Sequence, residues 1–544
     1  MDKLRKVQVS TLALTNFATA FILLLLGGLF GLIQGLNRAG VLEIVGGLNY
    51  YELLTAHGIF LILGFTTLFM NGYLYSAVDY VLGGLSKSVR VLGWLSYSSF
   101  IIGAVLVTVM VLSGEATVLY TFYAPMAASP WFYIGLVFVV LSIWLSAAGV
   151  FISAFTWKKR NRGKHLPLFA FFAVGVYLLV TFGSLGVTWE VLMLIPWAFG
   201  WTETINVLLT RTLFWSFGHT LVNVWYLVAV SAWYIVLPKV IGGKIFSDSL
   251  ARLVVILIVI LNVPGGFHHQ IVDPGFTEGL KFMHLFMSLA IGFPSLMTAF
   301  ALFATLERAG RHAGGKGLFG WFFKLPWKDV RFITIMLAMI SFIFGGAGGI
   351  AQTNNQLNQV VHNSMWVVGH FHVTVGVAVV LTFFGLMYWL IPHLSGRVMT
   401  AKIHNLGIWQ TMFWTVGMLF MTISMSLVGL MGSPRRTEYT TYGESATALG
   451  WDPYLLFVGA GGTLLFAGVV LMVYIVFNLM FFAPKGYTEF MAASDEGLHH
   501  TPKWTENWGL WVVLAIVIIS MGYVVPIIDI IENAPPGSPP IRTW

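Results

Sequence analysis

The sequence predicts an all-α polytopic membrane bundle of about thirteen transmembrane helices, and three observations carry that expectation. Of the 544 residues, 58% are hydrophobic and only 9% charged, against roughly 25% charged in a soluble domain. Mean hydropathy is +0.84. Apolar stretches of about 18–25 residues, each long enough to cross ~30 Å of hydrocarbon, recur along the whole chain.

Taken in order, the spans fall near 11–33, 51–80, 91–113, 131–156, 167–189, 212–238, 251–267, 281–305, 329–350, 361–392, 407–431, 454–482 and 508–532. The first is too long, and lacks the small-residue cleavage site, to be a removable signal peptide. The fourth closes on Lys158-Lys159-Arg160, and the seventh is expected to break at Pro264-Gly265-Gly266. The connections 306–328 and 483–507 are the longest hydrophilic ones. Neither is long enough to fold separately, so residues 1–544 are expected to form a single transmembrane domain.

A net charge of +8 and a pI near 9.4 do not point to nucleic acid here. Cationic loops retained in the cytoplasm explain them. With the N-terminus inside, all of the 29 Lys and Arg except Arg38, Arg211, Lys281, Arg435, Arg436 and Arg542 fall at the inner side, among them Arg308, Arg311 and Lys316. The expected location is the cell (inner) membrane, multi-pass, with a cytoplasmic N-terminus and the Pro-rich tail from Pro535 to Pro540 outside.

Against this background seven histidines stand out: His57, His219, His268, His269, His362, His370 and His372. Ligating side chains at membrane depth are costly and mark function by default. The topology brings six of them, scattered over some 300 residues, toward the outer side. His57 and His219 lie near the outer starts of the second and sixth spans, His268–His269 at the outer end of the seventh, and His370/His372 in the outer third of the tenth. Two residues on a helix are about 200° apart around its axis, so His370 and His372 face opposite ways and cannot share one iron. Each suits a different heme. His57 can complete one of these as a six-coordinate, low-spin centre, and the other keeps an open face. Broken backbone lets His268 and His269 aim at one further metal, with His219 as the third nitrogen. Imidazole suits copper, iron or zinc, and three without a carboxylate favour copper over non-heme iron.

These residues resemble the catalytic subunit (subunit I) of the heme-copper oxidase superfamily. The motifs are Gly218-His219 followed by Trp225, His268-His269-Gln270 with Asp273-Pro274-Gly275, Val361-His362-Asn363, and Gly369-His370-Phe371-His372. Pro274-Gly275 and Pro294-Ser295 with Thr298 look like the B branch. The resemblance implies that His57 and His372 bind the low-spin heme, His370 the high-spin heme, and His219, His268 and His269 copper. It also implies that Asn358 and His362 sit over heme propionates, which Arg435 and Arg436 neutralise, and that Tyr234, Ser295 and Thr298 line a proton path from the cytoplasm. Val230, one turn nearer the site than Tyr234, is expected to interrupt that path.

The chain departs from the pattern at Asn223. Oxygen-reducing members of the A and B branches place there a tyrosine covalently joined to a copper histidine, and iron-containing nitric oxide reductases a glutamate. Tyr226 lies seven residues from His219, about 10 Å of helix rise, too far to bond to a copper ligand. Splitting O2 in one step takes four electrons, one from the tyrosine, whereas coupling two NO to N2O takes two. The sequence reading is therefore a respiratory nitric oxide reductase, with the Asn223 amide donating to a bound NO or hyponitrite oxygen. The alternative is a terminal oxygen reductase, a cytochrome c or quinol oxidase subunit I. A non-enzymatic heme or solute transporter is the remote alternative, against which stand the lack of internal repeats and the outer-third ligands. With no cysteine there is neither a dinuclear copper entry site nor covalent heme attachment. Electrons are expected from a separate subunit carrying copper or a c-type heme, or from quinol. The other partners are membrane lipid and a small gaseous substrate.

Overall fold

Asn49 illustrates how the chain starts a span. Its side chain accepts from Glu52 N (2.9 Å) while Glu52 Oε2 accepts from Asn49 N (3.0 Å), a reciprocal cap that satisfies end amides otherwise orphaned at the head of a membrane helix. Ser86, Asn206, Ser247, Thr277, Asp329 and Thr400 cap other spans more simply, each side chain accepting from one backbone N–H of the first turn. Gly200 and Gly396 end two of them with positive φ.

The computed structural model describes residues 2–44, 47–492, 501–533 and 535–544. Among these, twelve helices are long and apolar enough to cross a membrane, and a bent pair makes a thirteenth. They are α1 (Asp2–Arg38), α2 (Tyr50–Val81), α3 (Lys87–Leu112), α4 (Pro130–Arg160), α5 (Leu168–Phe199), α6 (Val207–Val240), α7 (Asp248–Leu261 and Val263–Gln270), α8 (Glu278–His312), α9 (Val330–Gln352), α10 (Met365–Ser395), α11 (Ala401–Leu430), α12 (Ala446–Phe482) and α13 (Trp508–Asn533). The expected break in α7 is present as a 55° bend into a 3-10 turn that carries His268 and His269. The tenth span begins at Met365, not near 361. A short helix (Asn355–Val361) precedes it, and the positive φ of Asn363 turns the chain, so His362 sits in a connection at the mouth of the bundle. Part of the 483–507 connection lies outside the described residues.

Neighbouring spans pack as α3 on α4, α5 on α6, and α11 on α12, with α1 against both α2 and α12. Three of the spans that carry the membrane histidines are largely enclosed by their neighbours: 78% of the apolar window of α2 is buried, as in α5, 89% of α6 and 83% of α10. Two local irregularities also mark them. The α2 ladder widens into a π-segment at Ile59–Phe65, just after His57, and that of α10 at His372–Val379, starting on His372 itself. Such segments recur at functional sites because they re-aim side chains that a regular helix would fix.

Candidate metal centre

A cavity of about 740 Å³ lies at the centre of the bundle, and His57, His219, His268, His269, His362, His370 and His372 all line it. Six of these histidines sort into three groups by geometry, with His362 apart at the mouth.

His57 and His372 face each other with ring centroids 6.5 Å apart and planes within 10°. His57 Nδ1 hydrogen-bonds Gly27 O at 2.8 Å, and His372 Nδ1 hydrogen-bonds Val368 O at 2.8 Å. A backbone carbonyl accepting from Nδ1–H fixes the tautomer and leaves Nε2 as the free lone pair on each ring. A metal about 2 Å from both nitrogens sets parallel imidazole centroids roughly 6–6.5 Å apart. Glycine at position 31 is required by this pair, because a Cβ there would come within 2.5 Å of His57 Nδ1.

His370 points away from that pair. It is packed over Gly348, where a Cβ would lie 2.8 Å from its Nδ1, and parallel to the Trp366 ring at 6.0 Å. The opposite-face reading of Gly369-His370-Phe371-His372 holds although the ladder changes from α to π within it.

The third group is His219, His268 and His269, whose ligand atoms all lie within 4.8 Å of one another; the cluster contains no carboxylate. His219 Nδ1 and His269 Nε2 are 3.4 Å apart, and His268 Nε2 and His269 Nε2 are 3.0 Å apart. One metal at about 2 Å from three imidazole nitrogens separates them by roughly 3.3–3.5 Å, so the site fits an ion after small adjustments. The supporting contacts fix the rings. Ser288 Oγ lies 2.7 Å from His268 Nδ1 and donates onward to His284 O, while His269 stacks face to face on Trp215 at 3.8 Å. Gly265 lets α7 approach His219, whose Nε2 a Cβ would meet at 2.9 Å.

Asn223 also lines the cavity, but its Nδ2 donates 3.0 Å back to His219 O, one turn earlier on α6. That contact uses one of the two N–H donors of the amide, a common habit of a polar side chain inside a helix, and leaves the second for the expected donation.

Cations gather at the mouth of the cavity. Arg435 and Arg436 line the cavity; Arg435 Nη2 donates to Asn363 Oδ1 at 2.7 Å, and Arg436 lies over the rings of Tyr120 and Tyr123. Burial, with the neighbouring Arg436 charge adding to it, holds the Arg435 pKa down to about 10, so it stays a cation at neutral pH. Asn358 Nδ2 donates to Gln352 O, and its buried Oδ1 is left without a partner. Three residues that sequence reasoning left unassigned belong here. Arg38 reaches Thr437 O and Pro434 O, and Arg211 pairs with Asp273 (3.1 Å), which also faces His362 Nε2 (3.6 Å). The signal was present: Arg38 and Arg211 are among the six outer cations, and Asp273 lies in the His268-His269 motif.

On the inner side of the cavity Ser295 donates to Ile291 O and Thr298 to Pro294 O. Tyr226 and Tyr234 both face Thr298, and Tyr226 faces Ser295 as well. Val230, between the two tyrosines on α6, is buried, and Thr298 on α8 lies beside both of them.

Comparison with known proteins gives a consistent result. The family model described as cytochrome c and quinol oxidase polypeptide I matches residues 11–464. Cytochrome c oxidase subunit 1 of Thermus thermophilus is 37% identical over 546 residues, 96% of this chain and 95% of that protein. Quinol oxidase subunit 1 of Sulfolobus acidocaldarius is 24% identical over 316 residues, 56% of each chain. A cryo-EM structure of a heme-copper terminal oxidase dimer superposes with a TM-score of 0.92 at 32% identity, covering 98% of this chain and 95% of that one.

Proposed function

Since the chain belongs to the cytochrome c and quinol oxidase polypeptide I family, the heme-copper oxidases, we propose that it is the catalytic subunit of a terminal oxidase that reduces O2 to water. It is a multi-pass membrane heme-copper oxidoreductase whose family carries two hemes and a copper and works with electron-donating partners. The choice of gas rests on one observation: the likeness to a cytochrome c oxidase subunit runs along nearly the full length of both chains.

When bound, the hemes and copper supply electron storage and an open metal position at which the gas reacts. His57 and His372 would hold the low-spin heme through Nε2, their Nδ1 atoms anchored on Gly27 and Val368. His370 would hold the high-spin heme. His219 Nδ1, His268 Nε2 and His269 Nε2 would hold copper, with Ser288 and Trp215 keeping two of these rings aimed. Arg435 and Arg436, with Arg38 beside them, place positive charge where propionates would emerge, and Asn358 and His362 border the same mouth. Tyr234, Thr298 and Ser295 would pass protons from the cytoplasmic side, the N-terminus being inside. Electrons would enter from the outer side through a separate subunit with copper or a c-type heme, or from quinol.

A second reading, reduction of NO to N2O, is favoured by Asn223, which cannot supply an electron where the family resemblance implies a tyrosine in oxygen-reducing members. Turnover of the purified holoenzyme with O2 and with NO, under one reductant, separates the two. Rapid O2 consumption yielding water is expected. N2O formation at a high rate with only slow O2 uptake would transfer the assignment to nitric oxide reduction.

A further inference from the structure

Cleaving the O–O bond of O2 in one step requires four electrons. High-spin heme iron can give two and copper one, so a fourth must come from a nearby oxidisable side chain or from the low-spin heme. Asn223 cannot be oxidised. Two aromatic residues on the copper side of the cavity merit weighing. Trp215 stacks on His269 and keeps that ring aimed. Tyr226 is different. Seven residues beyond His219 on α6, it stands on the same helix face about two turns below that histidine, lines the same cavity, and is 4% exposed. Its ring is stacked on Phe342 at 4.4 Å and 10°, which fixes its direction, and its hydroxyl has no hydrogen-bond partner. Ser295 and Thr298 lie beside that hydroxyl, and Thr298 leads to Tyr234.

We propose that Tyr226 gives the fourth electron and a proton in O–O bond cleavage, taking over from a distance the part that the position of Asn223 cannot play. The proposal rests on the O2 reading above. In the step, the Tyr226 O–H bond breaks. Its electron completes the four that reduce both oxygen atoms, its proton passes to the adjoining Ser295 hydroxyl, which also lines the cavity and hands a proton on to one of those oxygens, and a neutral tyrosyl radical remains. One electron from the low-spin heme and one proton arriving through Tyr234 and Thr298 restore the phenol. No covalent link to a copper histidine is needed, because electron transfer tolerates the roughly 10 Å of helix rise between Tyr226 and His219.

The test uses holoenzyme reduced by two electrons, so that the high-spin heme and copper are reduced and the low-spin heme is oxidised. It is mixed with O2, frozen, and read by electron paramagnetic resonance. A radical is expected whose line width narrows when tyrosine is ring-deuterated. Tyr226→Phe, which keeps the Phe342 stack, is expected to lose it while both heme spectra are retained. In the fully reduced Tyr226→Phe protein the low-spin heme should instead oxidise in the same phase as bond cleavage. A radical unchanged in Tyr226→Phe, or one altered only by indole deuteration, overturns the assignment. So does O2 consumption with no radical in the wild type. These results leave the oxidase reading intact, whereas a wild-type protein that fails to consume O2 but consumes NO removes that reading and this one together.

Discussion

At the scale of single residues, the histidines were readable because nothing in a membrane core tolerates them cheaply. Each was also readable in its direction: two positions apart on one helix is enough to separate His370 from His372. Asn223 was legible as a departure but not in its orientation, because whether an amide faces a ligand or its own backbone depends on torsions that sequence does not encode. Tyr226 was judged only by its distance from a covalent bond, and its place on the cavity wall needed the packing of Phe342. His57→Ala or His372→Ala should remove the low-spin heme spectrum and spare the high-spin one, and His370→Ala the reverse; loss of both hemes from either variant in a folded protein would count against the opposed-face arrangement. The glycines offer a subtler check. Gly348→Ala puts a methyl group against His370 Nδ1, and should perturb the high-spin heme's optical and ligand-binding signature while leaving the low-spin bands in place. An unchanged high-spin heme would mean that His370 does not press on α9.

At the scale of elements, apolar length predicted all thirteen spans, with ends shifted by up to about ten residues, as at Phe199 against the expected 189. The α7 break followed from Pro264-Gly265-Gly266. The π-segments after His57 and at His372 did not, since their apolar sequences read like any other membrane helix and only the hydrogen-bond ladder distinguishes them. A buried ion cluster also escaped notice because its members are far apart in sequence. Arg252 is fully buried on α7, bonded to Asp248 at 2.7 Å, to Glu506 at 2.6 Å and to Leu166 O, with the Phe171 ring beneath it. It ties the segment leading into α13 to α7 and to the start of α5. Removing one member of such a cluster strands buried charge at a cost of about 3–5 kcal/mol. Arg252→Ala should therefore lower the unfolding temperature of the detergent-purified protein clearly, and Glu506→Gln less so. A stability equal to wild type in Arg252→Ala would show that the cluster does not hold these elements together.

At the scale of the whole molecule, six membrane histidines from four spans, with His362 at the mouth, surround one cavity. Their convergence was legible from topology alone: alternating spans sort the helix ends into two sets, one poor in Lys and Arg, and the histidines then fell at one depth beside that set. What lies between them was not legible, because the sequence says nothing about which ring nitrogen is free. The nitric oxide reading grew from one missing tyrosine, and the full-length likeness to an oxidase subunit outweighs it. The central claim is that these histidines form one low-spin heme site and one heme–copper site. The most direct measurement is metal content and electron paramagnetic resonance of the oxidised holoenzyme. Two irons and one copper per chain are expected, with a low-spin heme signal visible and the high-spin heme and copper silent through mutual coupling. Three irons with no copper, or an isolated copper signal beside an uncoupled high-spin heme, would contradict it.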